Sequence, residues 1–191
     1  MVPTASATIG PFFPPHFFGP LDHDLTRLTA DGPTARGERI TIRGQVFEAN
    51  RVPRWNCIIE LWQADAGGTF AHPLDPRAAG VDPNFMGWGR CSTGNDGAFE
   101  FVTVMPGGYV DPITQRVRAP HINVAIMGSG LMRRLVTTLF FAGTEANNAD
   151  PIMAVVPNAR RRALQMTQQR AAHYQIDLVL QGEGETPFFV D

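Results

Sequence analysis

Arg39-Ile40-Thr41-Ile42-Arg43-Gly44-Gln45-Val46-Phe47 alternates polar and apolar residues through its first half, the period of a strand with one wet face and one buried face. Working outward, the theme repeats. Cys57-Ile58-Ile59-Glu60-Leu61-Trp62-Gln63-Ala64-Asp65 runs to a Gly67-Gly68 turn. Ala98-Phe99-Glu100-Phe101-Val102-Thr103-Val104 opens straight after Asn95-Asp96-Gly97, a strong turn signal before a strand. His121 to Met127, Leu135 to Phe141 and Tyr174 to Leu180 read as further strands. Six or more short strands joined by turns predict an all-β fold, an antiparallel sandwich or barrel-like core with long loops. The 19 glycines and 16 prolines agree, because they favour turns over long helices.

One helix is expected near the C-terminus, with Asn158 as its N-cap and Ala159 to Ala172 as its body, a stretch of helix formers with few breakers. The loops over residues 66–90 and 105–120 are long for a compact domain, and loops of that length often carry function. At 191 residues the chain suits one domain, with residues 1–38 as an extended N-terminal arm and 39–191 as the core. The arm carries prolines at 3, 11, 14, 15, 20 and 33 beside Phe12, Phe13, Phe17 and Phe18. Proline disfavours helix, and four phenylalanines must lie against the body of this chain or of a partner.

A net charge of −2 argues against nucleic-acid binding, which needs a basic face. The run Arg160-Arg161-Arg162 reads as the solvated side of the helix. No stretch approaches the apolar length of a membrane span. The first residues lack a charged lead followed by an apolar block, so the expectation is a cytoplasmic protein without a secretory signal. Cys57 and Cys91 read as reduced, buried thiols rather than a disulfide or a metal site.

Four stretches concentrate chemistry: Trp62 to His72, Gly87 to Thr93, Pro106-Gly107-Gly108-Tyr109, and Arg118-Ala119-Pro120-His121-Ile122-Asn123. His121 and Asn123 sit two apart on a strand and so face one side, where they can aim two polar groups at one ligand. The alternative is a hydrogen-bonded structural pair.

Taken in order, these stretches resemble the intradiol ring-cleavage dioxygenases, in particular the α chains of protocatechuate 3,4-dioxygenases. The likeness extends to the arm Thr8-Ile9-Gly10-Pro11-Phe12-Phe13, the strand Glu60 to Asp65, and the tail Gln181 to Phe189. The resemblance implies a non-haem Fe(III) site built from two tyrosines and two histidines. The matching positions here are Phe70, Tyr109, His121 and Asn123, with Arg118 opening the Arg-Pro-type motif, so two of the family's four donors are missing. A phenolate is a hard anionic donor suited to Fe(III), whereas Phe70 has no oxygen and Asn123 offers a neutral amide. The chain has just two tyrosines, and Tyr174 reads as a packed aromatic at the start of a strand.

The resemblance therefore implies a vestigial site, no metal on this chain, and Fe(III) in a partner β chain. That partner's iron would bind protocatechuate and promote ring cleavage by O2 to 3-carboxy-cis,cis-muconate, in a higher oligomer of αβ units. Thr8, Gly10, Pro11 and Phe12 match the family segment that lines the partner's pocket. Ser129 takes the place of an arginine that α chains aim at the substrate, and Arg133 and Arg134 are candidates to compensate. Two rival expectations are a self-sufficient dioxygenase with an unusual iron site, and a β-sandwich binding module with no enzymatic partner.

Overall fold

The computed structural model describes residues 13–190. Eleven strands account for most of the regular structure among them. They are β1 (Arg39–Phe47), β2 (Cys57–Trp62), β3 (Trp88–Ser92), β4 (Ala98–Val104), β5 (Tyr109–Val110), β6 (Val117–Arg118), β7 (His121–Gly128), β8 (Leu135–Phe141), β9 (Gln165–Arg170), β10 (His173–Gln175) and β11 (Leu178–Val179). One nine-stranded sheet runs β11-β1-β10-β9-β8-β7-β2-β3 with β4 on the free side of β1, while β5 and β6 form a separate ribbon. The pairing is mostly antiparallel. The parallel exceptions are β1 with β10, β1 with β11, and β8 with β9.

Alternation in β1 turns Ile40, Ile42 and Val46 into the core and leaves Arg39 and Arg43 outside. Phe99 and Phe101 of β4 point the same way, and outside, Arg43 pairs with Glu100 directly opposite it. Each fully buried aliphatic or phenylalanine side chain of this kind contributes about 1.5–3 kcal/mol. These residues join Ile59, Leu61, Ile122, Val124, Ile126 and Leu139 in one continuous core.

The N-terminal segment is built into this core. The Arg90 amide of β3 donates to the Asp22 carbonyl at 2.6 Å. Val102 of β4 donates to the His23 carbonyl and accepts from the Leu25 amide, at 2.9 and 2.8 Å. Residues 22–25 thus bridge the two strands that would otherwise be edges, and Leu25 is buried in the core. The sheet is nearly closed into a barrel, which leaves little unpaired edge.

The expected C-terminal helix stops halfway. Asn158–Leu164 forms a 3-10 helix with no side-chain cap, and the residues that follow are β9. Met166 is buried and Phe141 of β8 pairs with it, while Thr167 and Gln168 pair with β10. Sheet pairing and burial override the helical propensity of this stretch. A further short helix, α1 (Pro151–Val155), is capped by Asp150, whose side chain accepts the Ile152 amide. The strand expected over Tyr174 to Leu180 is split into β10 and β11, and Trp88–Ser92, read as a motif, is itself a strand. Tyr174 packs edge-on against Phe141 with ring centroids 4.9 Å apart. Cys57 and Cys91 are free thiols, and burial pushes them up to about 11 and about 12. No helix among the described residues is long and apolar enough to cross a membrane.

Candidate functional site

The site forms where the loop after β2 meets the loop before β5. Asp65, buried just past β2, ties the first loop. Its Oδ1 accepts the amides of Gly67 and Thr69, each at 2.9 Å, and its Oδ2 accepts the Asp82 amide at 2.9 Å. Its carbonyl also accepts the amides of Gly68 and Gly107, which pins the second loop to the first. The two backbones touch here. A Cβ on Gly68 (φ 78°) would lie 2.5 Å from the Gly108 carbonyl oxygen, and one on Gly107 would lie 2.5 Å from the Gly68 nitrogen. Glycine is the residue that permits both the positive φ and the approach.

This junction brings Phe70 and Tyr109 together, edge to face, with centroids 5.4 Å apart. Trp62, at the end of β2, meets Phe70 at 5.8 Å, and the His121 ring lies 5.8 Å from Tyr109. Asn123 sits opposite Trp62 on β2 and Thr138 on β8. Phe70, Tyr109, His121 and Asn123 therefore converge from four places in the sequence.

Their polar atoms are committed as follows. His121 is 3% exposed. Its Nδ1 lies 2.7 Å from the Ala119 carbonyl and must donate to it, since a carbonyl can only accept. Nε2 then carries the lone pair and faces an Arg118 Nη at 3.4 Å. Burial first, and the nearby Arg118 charge second, push the imidazole down to about 4. Arg118 is held through its Nε by Asp150 Oδ2 at 2.9 Å, and the same oxygen accepts the Ala119 amide at 3.0 Å. Burial raises Tyr109 above the ordinary phenol range, against the opposing charge of Arg118. Asn123 accepts the Thr138 hydroxyl at 3.1 Å through its Oδ1.

Next to the cluster, Arg77 grips Asp75 with two hydrogen bonds, Nε to Oδ1 at 3.0 Å and Nη2 to Oδ2 at 2.8 Å. Its guanidinium lies 5.3 Å from the Tyr109 ring centre. Asp75 also accepts the Phe70 amide, and the bond from Arg77 leads in holding its carboxyl down to about 2. Sequence reasoning missed Asp65, Asp75, Arg77 and Asp150. The three acids act largely on backbone amides, and Arg77 acts on one of them, Asp75, so no side-chain pattern announces the set.

The other expected positions lie elsewhere. Ser129 sits in the turn beyond β7, six residues from Asn123, roughly 20 Å along an extended strand, and its carbonyl accepts from Arg54. Arg134 lines a cleft shared with Trp62, Trp88 and Asn123, while Arg133 lines a separate groove with Arg160. Thr8, Gly10, Pro11 and Phe12 lie outside the described residues.

Residues 8–182 match the sequence model of the dioxygenase family. The protocatechuate 3,4-dioxygenase α chain of Burkholderia cepacia is 34% identical over 200 residues, covering 97% of this chain and 96% of that one. The corresponding β chain of Burkholderia cepacia is 37% identical over 177 residues, covering 88% of this chain and 75% of that one. Among solved structures, the dioxygenase domain of a carbohydrate-binding fusion protein from Streptomyces sp. SirexAA-E superimposes with a TM-score of 0.62 at 28% identity, covering 97% of this chain and all of that one. Catechol 1,2-dioxygenase from Acinetobacter sp. ADP1 shares the fold, with a TM-score of 0.64 at 20% identity over 88% of this chain and 60% of that one. On a sequence match that spans nearly the whole chain, and a fold that agrees with it, this protein belongs to the dioxygenase family as an α-like intradiol dioxygenase subunit.

Proposed function

We propose that this chain is the non-catalytic α partner in a two-chain enzyme that opens protocatechuate with O2 between its two hydroxylated carbons, giving 3-carboxy-cis,cis-muconate. The observation that carries this reading is the donor set at the aromatic cluster. Ferric iron favours hard anionic oxygens. Phe70 offers none, the Asn123 oxygen is neutral and engaged by Thr138, and Tyr109 is left as the single phenol of the cluster, raised by burial above the ordinary phenol range. The lone pair of His121 faces the Arg118 guanidinium, so a cation placed there would meet a positive charge. These residues do not fit Fe(III), and no step is assigned to a metal on this chain.

In this reading the iron belongs to a β chain, and this chain completes the β chain's pocket. Thr8, Gly10, Pro11 and Phe12 supply the lining, with glycine allowing close backbone approach and proline stiffening the segment. The turn at Ser129 contributes from the far end of β7, and αβ units assemble further in the cytoplasm. Likeness to both an α and a β chain of one enzyme supports the pairing.

The test is iron content by elemental analysis. The chain expressed alone is expected to be colourless, iron-poor and inactive, and co-expression with a β chain is expected to give a coloured, active complex. Stoichiometric iron in the lone chain overturns the reading. In the complex, Thr8→Ala or Pro11→Ala is expected to raise KM while iron content stays constant. Unchanged KM in both removes the arm from the pocket.

A further inference from the structure

Arg90, on β3, holds the N-terminal segment at two points. Its amide donates to the Asp22 carbonyl at 2.6 Å, and its Nη1 donates to the Phe17 carbonyl at 3.1 Å. The guanidinium also lies 3.8 Å from the centre of the Phe17 ring and 4.8 Å from that of Trp88, distances at which an aromatic face attracts a cation. Phe17 in turn stacks on Phe13 at 6.2 Å and meets Phe18 edge-on at 5.9 Å. These three phenylalanines therefore form one cluster, anchored through Phe17 to Arg90.

A cross-strand partner for Glu60 needs less than this. Arg90 sits directly opposite Glu60 and gives its Oε1 two hydrogen bonds, from Nε at 2.9 Å and from Nη2 at 2.6 Å. A lysine would balance that carboxylate as a point charge. The planar fork supplies what a lysine cannot, a third bond to Phe17 made while both bonds to Glu60 are kept. Glu60 thus fixes the guanidinium, and the guanidinium fixes the segment. With the tether at Asp22 alone, the chain before the Gly19–Asp22 turn would be free to swing. The second tether, at Phe17, sets the direction in which the chain leaves the body. Phe12 is five residues further out, so it stays within about 17 Å of Phe17.

We infer that Arg90 is the positioning residue that aims the N-terminal arm, so that Thr8 to Phe12 meet the partner's pocket already directed and lose less freedom on binding there. What the arm reaches rests on the subunit reading above. How it is held rests on this chain alone.

The first test uses the lone full-length chain and chymotrypsin, which cuts after aromatic residues. Cleavage after Phe17 requires the segment to lift from β3, so its rate reports the lifted population. Arg90→Lys, which keeps a charge beside Glu60, is expected to be cut there at least fivefold faster at an unchanged Tm. The second test is steady-state kinetics of the complex with the β chain. Arg90→Lys is expected to raise KM at least fivefold and Phe17→Leu at least threefold, with kcat and iron content unchanged. Removing residues 1–12 is expected to abolish the effect of Arg90→Lys on KM, because no arm is left to aim. Wild-type cleavage of Arg90→Lys, its wild-type KM in the complex, or a KM effect that survives removal of residues 1–12 each overturns the inference. Cleavage needs neither iron nor partner, and iron content of the lone chain reads the subunit proposal separately, so failure of one is distinguishable from failure of the other.

Discussion

Arg118 donates through Nε to Asp150 at 2.9 Å, and the carboxylate that receives it is fully buried. The carboxylate also accepts the Ala119 amide and caps α1 through the Ile152 amide. One buried acid thus ties β6, the start of β7 and a helix together. A buried ion pair is costly to break from one side, because the surviving charge stays desolvated. Asp150→Ala is expected to destabilise the chain by about 3–5 kcal/mol, read as a lower urea midpoint. Arg118→Ala alone is expected to be similarly costly, and the double variant less than the sum, because the partners share one interaction.

His121 sets a pH dependence. The groups facing it are the Arg118 guanidinium, the Tyr109 phenol and, one bond removed, Asp150. Its folded value of about 4 lies below the ordinary 6.5. Between these two values the unfolded chain binds a proton that the folded chain refuses. The contribution is present above pH 6.5 and is lost as the pH falls toward 4, to a limit of about 3 kcal/mol. Melting of metal-free wild type against His121→Gln should show wild type losing more stability over that window. Parallel curves would mean that His121 titrates normally when folded.

Asp65 is the third target. Asp65→Ala leaves three backbone amides without their side-chain acceptor; the Asp82 amide is the buried one, and a buried orphan costs about 1–3 kcal/mol. Gly68→Ala attacks the same junction through the backbone, since its Cβ would collide with the Gly108 carbonyl at a positive φ. Both are expected to lower Tm and to change the near-ultraviolet dichroism of Trp62 and Tyr109.

The fourth prediction concerns the N-terminal segment. Removing residues 1–19 keeps the bridge at residues 22–25, so cooperative unfolding should persist. Removing residues 1–26 exposes β3 and β4 as edges and empties the place of Leu25. That product is expected to aggregate on concentration, as light scattering would show.

Much of this architecture could be read in advance where a strand had one wet face. Arg39–Phe47, Ala98–Val104 and Leu135–Phe141 match their expected limits, because period-two alternation and a preceding turn locate a strand without reference to its neighbours. Gln165–Arg170 could not be read this way. Its composition favours helix, and the decision comes from Phe140, Phe141 and Tyr174, which are distant in sequence. Trp88–Ser92 was obscured by the glycines at 87 and 89. At the site, Phe70, Tyr109, His121 and Asn123 were legible through motif resemblance, and the fold brings the four positions close together. Asp65 and Asp150 act through backbone amides, so only the folded chain displays them.

The bridge at residues 22–25 has a kinetic side. The barrel closes with one stave at residues 22–25 and with β10 and β11 at residues 173–179. Residues 22–25 pair with β3 and β4, and β10 and β11 pair with β1, all far off in sequence, so the ring cannot be completed until residue 179 has been made. Non-local pairing of this kind slows folding and prolongs the exposure of unpaired strands. The hazard for this chain therefore falls in the interval between synthesis and closure. A nascent chain that meets its stabilising contacts within that interval would escape aggregation, so the yield of soluble protein should depend on the rate of synthesis and on temperature more than on final stability.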